Sequence, residues 1–172
     1  MKFSNFDDRT FAADPPGSAS FAYKTAPAVA STPQAAARAA TRILVVDDEP
    51  STRAVVVEIL RRAGYQVDAA DDGLAGWETL RTGRFHLLIT DHRMPQVTGV
   101  ELIQGLRATG SELPCLLMSG ALPFNTPDLP GELQPGAILQ KPFRPRELVA
   151  KVDEMLCAHP VPGETRHLLV PA

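Results

Sequence analysis

The sequence predicts an α/β protein built on a doubly wound, five-stranded parallel sheet with helices on both faces. Three observations carry this. Short apolar, β-branched runs alternate with segments of helical period between residues 42 and 158. The runs are apolar at consecutive positions, as in strands covered on both faces. Each run also ends in a polar residue or a turn signal, the pattern of βαβ units, whose crossovers are right-handed.

"RILVV" (residues 42–46) reads as the first strand. "PSTRAVVVEILRRAG" follows, with Val56, Ile59, Leu60 and Ala63 on one helical face, a start near Pro50 and a stop at Gly64. "YQVDAA" alternates and reads as the second strand; the turn "DDG" leads into the helix "LAGWETLRTG". "FHLLITD" is the third strand, "GVELIQGLRATG" the next helix, "LPCLLMSG" the fourth strand and "AILQ" a short fifth. "RPRELVAKVDEMLCAH" closes the domain with a helix that buries Leu148, Val152, Met155 and Leu156. One crossover departs from the pattern. The segment 121–135 contains Pro123, Pro127, Pro130 and Pro135, and an interior proline costs a helix about 3 kcal/mol. The fourth crossover helix is therefore expected to be short or irregular.

The ends of the chain differ from its middle. Residues 1–41 hold 12 alanines, four prolines and no sustained period, and read as a disordered Ala/Pro-rich arm. Phe3, Phe6, Phe11 and Phe21, four of the chain's seven phenylalanines, lie in it and offer a short docking motif as the alternative. Residues 159–172 read as a flexible tail, too short for a helix-turn-helix.

A net charge of -3 and a pI near 5.8 give no general electrostatic reason to bind nucleic acid or an anionic membrane. No apolar run approaches the ~20 residues of a membrane span, and no secretory signal is visible. The two cysteines, Cys115 and Cys157, do not make a disulfide framework; Cys115 reads as a buried filler. A cytoplasmic protein is expected.

In an open parallel sheet, ligands bind outside the carboxyl ends of the strands. The first strand ends in Asp47 and Asp48, the third in Asp91 and the fourth in Ser119, while the fifth leads to Lys141. Three carboxylates, a hydroxyl and an ammonium thus converge on one crevice. Carboxylates without histidine or cysteine among them suit Mg²⁺, a hard cation that takes oxygen ligands. Each residue also has a plain reading: Asp47 and Asp48 as caps of the next helix, Asp91 and Ser119 as turn residues, Lys141 as a surface lysine. Their joint occurrence at successive strand ends favours a site.

"VVDDEP", "DHRMPQVTG", "MSG" and "KPF", in this order and spacing, resemble the receiver domain of two-component response regulators, over residues 42 to about 158. The resemblance implies the flavodoxin-like receiver fold, with Asp91 as phosphoacceptor from a phosphohistidine of a sensor histidine kinase or histidine phosphotransfer protein. It implies that Asp48 and Asp91 bind Mg²⁺ directly, Asp47 directly or through water, and that the backbone carbonyl of Arg93 completes the protein ligands. Ser119 and Lys141 would each contact a phosphoryl oxygen, and Lys141–Pro142 would be a cis peptide. The chain departs from the family at three places. Ile138 stands where many receivers carry an aromatic residue whose rotamer reports phosphorylation. The segment 121–135 replaces a regular fourth helix. Arg93 and Gly120 lie near the line of water attack. His92, next to Asp91, falls on the opposite side of its strand and is expected to face solvent.

These readings add up to a single-domain response regulator rather than an enzyme: a phosphorylation-dependent protein-interaction switch or relay intermediate with a downstream protein partner. A phosphorylation-independent scaffold binding through the N-terminal arm is the alternative. A Mg²⁺-dependent phosphatase with Asp91 as nucleophile fits less well. Enzymes of the haloacid-dehalogenase kind carry a "DxD" on the first strand, whereas here the second neighbour of Asp91 is Arg93.

Overall fold

A computed structural model describes residues 32–120, 131 and 134–159. The elements run α1 (Pro33–Ala40), β1 (Arg42–Val46), α2 (Pro50–Arg62), β2 (Gln66–Ala70), α3 (Gly73–Thr82), β3 (Leu87–Asp91), α4 (Gly99–Ala108), β4 (Cys115–Ser119), β5 (Gly136–Gln140) and α5 (Pro145–Ala158). All five strands are parallel, in the order β2-β1-β3-β4-β5. The predicted sheet is borne out. The order reverses direction between β1 and β3, so the loops after these two strands part to opposite sides and leave a crevice between them.

Strand parity sorts the core into two layers. Ile43, Val45, Leu87, Ile89, Leu116 and Met118 face Val56 and Leu60 of α2 and Leu148, Val152 and Met155 of α5. Leu44, Val46, Leu88 and Leu117 face Leu102, Ile103 and Leu106 of α4. A side-chain period of two explains why consecutive strand residues are all apolar: each belongs to a different layer.

Local chemistry sets the helix ends. Gly64 (φ 98°) and Gly110 (φ 78°) end α2 and α4 in the left-handed conformation. In each case a paired C-terminal bond follows: Tyr65 N to Leu60 O (3.1 Å) with Gly64 N to Arg61 O (2.9 Å), and Ser111 N to Leu106 O (3.2 Å) with Gly110 N to Arg107 O (2.9 Å). Thr98 and Glu101 form a capping box at the start of α4.

The arm read as disordered over residues 1–41 needs correcting at its end, where Pro33–Ala40 is a helix. Alanine is the strongest helix former, Thr32 caps the first turn through Ala35 N (3.2 Å), and Pro33 sits at the start, where its missing N–H costs nothing. None of its residues is buried. It is fastened by Arg38, whose guanidinium reaches both carboxylate oxygens of Asp153 on α5 (2.5 and 3.2 Å) and the carbonyl of Ala63 (3.2 Å). The same guanidinium lies over the Tyr65 ring at 5.5 Å, and the Tyr65 hydroxyl donates to Asp153 as well. The Phe-bearing residues of the arm, most of segment 121–135 and residues 160–172 lie outside the described residues.

Two variants test this framework. Arg38→Ala should strip hydrogen-exchange protection from α1 and lower stability by about 1 kcal/mol, the scale of a partly exposed ion pair with its hydrogen bonds. Unchanged protection in α1 would show that the helix does not depend on Arg38. Gly99 opens α4 directly against the end of β3, and a Cβ there would stand 2.1 Å from the carbonyl oxygen of Asp91 and 2.9 Å from Leu117. Gly99→Ala should cost about 1–3 kcal/mol in urea unfolding and displace the Asp91 backbone. A wild-type midpoint would mean that the loop yields freely.

Candidate functional site

Asp47, Asp91 and Lys141 meet at the carboxyl end of the sheet. The Lys141 ammonium lies 2.5 Å from Asp91 Oδ1 and 3.1 Å from Asp47 Oδ2. Parity explains the meeting. Asp47 continues the alternation of Ile43 and Val45, Asp91 that of Leu87 and Ile89, and Lys141 that of Ala137 and Leu139, so all three crown the α2/α5 layer. Asp47 is fully buried and Asp91 half-buried, which makes their charges expensive without a counter-charge.

Burial pushes the Asp47 carboxyl above the ordinary carboxylate range, and the hydrogen bonds from Lys141 and from the Glu49 N–H (2.9 Å) only partly oppose it. Burial alone would lower the pKa of Lys141, but its bonds to Asp91 and Asp47 outweigh this and raise it. Lys141 is therefore held as a cation between two acids. The Lys141–Pro142 peptide is cis, as the family resemblance implies.

The remaining predicted residues are arranged around this pair. Asp48 is exposed at the mouth of the crevice. The plain capping reading of Asp47 and Asp48 is not what the structure contains: Glu49 caps α2, its carboxylate accepting from Ser51 N (3.2 Å) and Thr52 N (2.7 Å). The Ser51 hydroxyl, which also donates to this carboxylate, acts first, and with these bonds it holds the Glu49 carboxyl at a pKa of about 2, from an ordinary 4.5. Arg93 is exposed, and its backbone N–H donates to Asp91 Oδ2 at 2.7 Å, so the loop after β3 orients the carboxylate. That loop is tight, with Val97 N bonded to Pro95 O (2.7 Å) across Gln96, which has φ 65°. A non-glycine residue held there stores strain next to the site. Arg53, which the sequence reading passed over, donates to the carbonyl of Asp47 at 2.6 Å and adds positive charge beside the acids.

Ser119 is buried at the end of β4, and its backbone carbonyl accepts from Lys141 N (2.8 Å). The expectation that His92 faces solvent is met only in part, since its ring is half-buried. Its side chain does point away from that of Asp91, but Ser119 lies on that same side. His92 Nδ1 is 3.1 Å from Ser119 Oγ, and His92 N bonds to Met118 O at 2.8 Å. Ile138 is 7% exposed among Leu44, Leu88 and Leu117, a core residue rather than a surface reporter.

The donor chemistry fits a magnesium ion. Among the described residues no three His, Cys, Asp or Glu side chains close around one point, but Mg²⁺ is commonly held by one or two carboxylates and several waters. The oxygens of Asp47, Asp48 and Asp91 are of that kind, and the net negative crevice favours a dication.

The model of the response regulator receiver domain matches residues 43–153. The chain belongs to the response regulator receiver family. The receiver protein CpdR of Brucella abortus is 34% identical over 120 residues, which cover 68% of this chain and 98% of CpdR. The transcriptional regulatory protein CusR of Escherichia coli is 35% identical over 117 residues, 67% of this chain and 51% of CusR, so the chain spans about half the length of that relative. Among solved structures, the response regulator TrrA of Thermotoga maritima, in complex with Mg²⁺ and BeF, is 31% identical with a TM-score of 0.61, over 67% of this chain and 99% of TrrA. Receiver domains of this family take part in phosphorylation-dependent two-component signalling and interact with histidine kinases or phosphotransfer proteins. Among the described residues, no helix of this receiver is long and apolar enough to cross a membrane.

The electrostatics of the receiver's crevice yield a prediction. A carboxyl whose folded pKa is raised binds more protons folded than unfolded, so its contribution to stability falls as pH rises through that range and the cost is fully present at neutral pH. Asp47→Asn should therefore raise the melting temperature at pH 7 without Mg²⁺, by the equivalent of roughly 0.5–2 kcal/mol. Saturating Mg²⁺ should shrink or reverse the difference. A lower melting temperature without Mg²⁺ would show that pairing with Lys141 outweighs burial.

Proposed function

We propose that the chain is a response regulator acting as a single receiver, which accepts a phosphoryl group on Asp91 and works as a phosphorylation-dependent protein-interaction switch or relay intermediate. The observation that carries this reading is the Lys141 ammonium seated between Asp47 and Asp91 where the strand order reverses.

An Asp91 oxygen attacks the phosphorus of a phosphohistidine. The O–P bond forms as the P–N bond breaks, and the imidazole leaves. Attack by an anion on an anionic group is opposed by charge, so the work of this chain is positioning and neutralisation. The Arg93 N–H fixes one Asp91 oxygen; Lys141 lies against the other and can follow the phosphoryl oxygens. Ser119 donates its hydroxyl to another of them. Asp47, Asp48, Asp91 and the Arg93 carbonyl would hold Mg²⁺, which when bound neutralises phosphoryl oxygens during transfer. The chain needs no further catalytic machinery, and we assign it no turnover beyond its own phosphorylation and dephosphorylation. Its partners are then a sensor histidine kinase or phosphotransfer protein upstream and a protein target downstream.

Phosphorylation adds about 1.5–2 negative charges at Asp91. Lys141 must then redistribute between Asp47 and the phosphoryl group, and Ser119 must turn toward it, which shifts the ends of β4 and β5. Incubation with acetyl phosphate and Mg²⁺ should give a single phosphoryl adduct by intact mass, absent in Asp91→Ala and after EDTA treatment. No adduct, with a phosphorylated histidine donor failing too, would sink the switch and leave the scaffold reading.

A further inference from the structure

Asp48 stands apart from the other acids of the crevice. Asp47 and Asp91 are both paired with Lys141, whereas Asp48 is exposed and, among the described residues, its carboxylate accepts no hydrogen bond and joins no ion pair. Only the backbone beneath it decides where that carboxylate points, and the backbone is held on both sides. Arg53 Nη1 donates to the Asp47 carbonyl at 2.6 Å. A peptide unit is planar, so this bond fixes the plane that runs from Asp47 to the Cα of Asp48. The next plane is fixed as well, because the Glu49 N–H donates to Asp47 Oδ1 at 2.9 Å in an Asx turn. Both backbone dihedrals of Asp48 are thereby pinned, and with them the direction of its Cα–Cβ bond.

We infer that Arg53 is a positioning residue for the Mg²⁺ site, acting through the backbone of Asp48; the inference rests on the Mg²⁺ reading of the crevice. Arg53 is itself well anchored. Its N–H bonds to Glu49 O at 3.0 Å, and α2 is seated on the sheet through Val56 and Leu60. The helix has no need of a cation at this point. Glu49 already caps it, and positive charge in a first turn is disfavoured by the helix dipole. What the guanidinium does there is tie the loop after β1 to the body of α2. Asp48 is then presented to an ion in one orientation, with only its own side-chain torsions left to settle.

The test titrates Mg²⁺ into the full chain and follows the amide NMR spectrum. Two effects of Arg53 oppose each other in it. Its charge repels a dication, so removing the charge alone should tighten binding. Its bond places Asp48, so removing the bond should weaken binding. Arg53→Met, which keeps an unbranched stem, should weaken Mg²⁺ binding about 10-fold, the low end of what an outer partner of a metal ligand contributes. Arg53→Lys, which keeps a cation and a donor of similar reach, should recover most of the wild-type affinity. In the metal-free chain, the amide order parameter of Asp48 should fall in Arg53→Met from the ~0.85 of rigid backbone toward ~0.6, and stay high in Arg53→Lys. Equal or tighter binding by Arg53→Met, or weaker binding with an unchanged Asp48 order parameter, overturns the inference. A wild-type chain with no saturable Mg²⁺ response overturns the metal reading instead, and that failure shows before any Arg53 variant is compared.

Discussion

The site depends on one cation. Lys141 lies between a fully buried aspartate and a half-buried one, and without it the end of β1 and the end of β3 would bring two carboxylates together with little water to screen them. The sheet order makes this arrangement necessary. Because β1 and β3 are neighbours, their terminal acids are too; because β5 lies two strands from β3, only a long, extended side chain can reach back to both. Lysine serves where arginine would not, since a compact ammonium can slide from one oxygen to another. The arrangement is balanced rather than strong. Burial still raises the Asp47 pKa despite two hydrogen bonds, so the crevice retains a demand for further positive charge, which a dication can meet.

Strand parity divides the work at the carboxyl end. Residues in step with Ile43 and Leu87 deliver charge; residues in step with Leu44 and Leu88 deliver Ser119 and His92. If Asp91 is the acceptor we propose, a phosphoryl group there recruits from both sides, drawing Lys141 along the first and Ser119 across from the second. Each motion pulls on the start of a different connection: β5 into α5 in one case, and the segment after β4 in the other. One covalent event on β3 would then act on both connections. Ile138 takes no part in this, because its side chain is core under β4 rather than a rotor at the surface. Whatever carries the signal outward must use the backbone of these loops or another side chain.

Most of this was legible in the sequence because it obeys periods. Consecutive apolar residues in "RILVV" and "LLIT" marked strands covered on both faces, and the polar residue at the end of each strand marked the crevice. What escaped was chemistry without a period. Glu49 caps α2, yet glutamate is not a favoured cap, so Asp47 and Asp48 drew that reading. For His92, parity gave the direction of the side chain correctly; what it lacked was the register of β3 against β4, a tertiary fact that puts Ser119 on the same side. Helix α1 was missed because its attachment is polar, through Arg38 and Gln66, and not an apolar face.

That attachment bears on how a switch and a docking arm can coexist. Arg38 reaches Asp153 and the backbone of Ala63, and Gln66, the first residue of β2, donates to Ala39 O at 2.6 Å. These contacts gather at the amino end of β2, whereas the acidic crevice is at the carboxyl ends, so a phosphoryl group on Asp91 would not touch α1 directly. Two continuous elements link the two: α2, whose Arg53 holds the Asp47 carbonyl and whose end residue Ala63 accepts from Arg38, and α5, which starts three residues after the cis Lys141–Pro142 bond and carries Asp153 two turns along. A shift of Lys141 toward a phosphoryl group reaches α1 only if α5 moves as a rigid rod. It has to move against Leu148 and Val152, both fully buried under the sheet. Dense packing of that kind resists small displacements and permits only discrete ones. Helix α1 is accordingly insulated from the crevice along α5 unless α5 has a second seat on the sheet. The short connection from β5 into α5 is the nearer route for the signal.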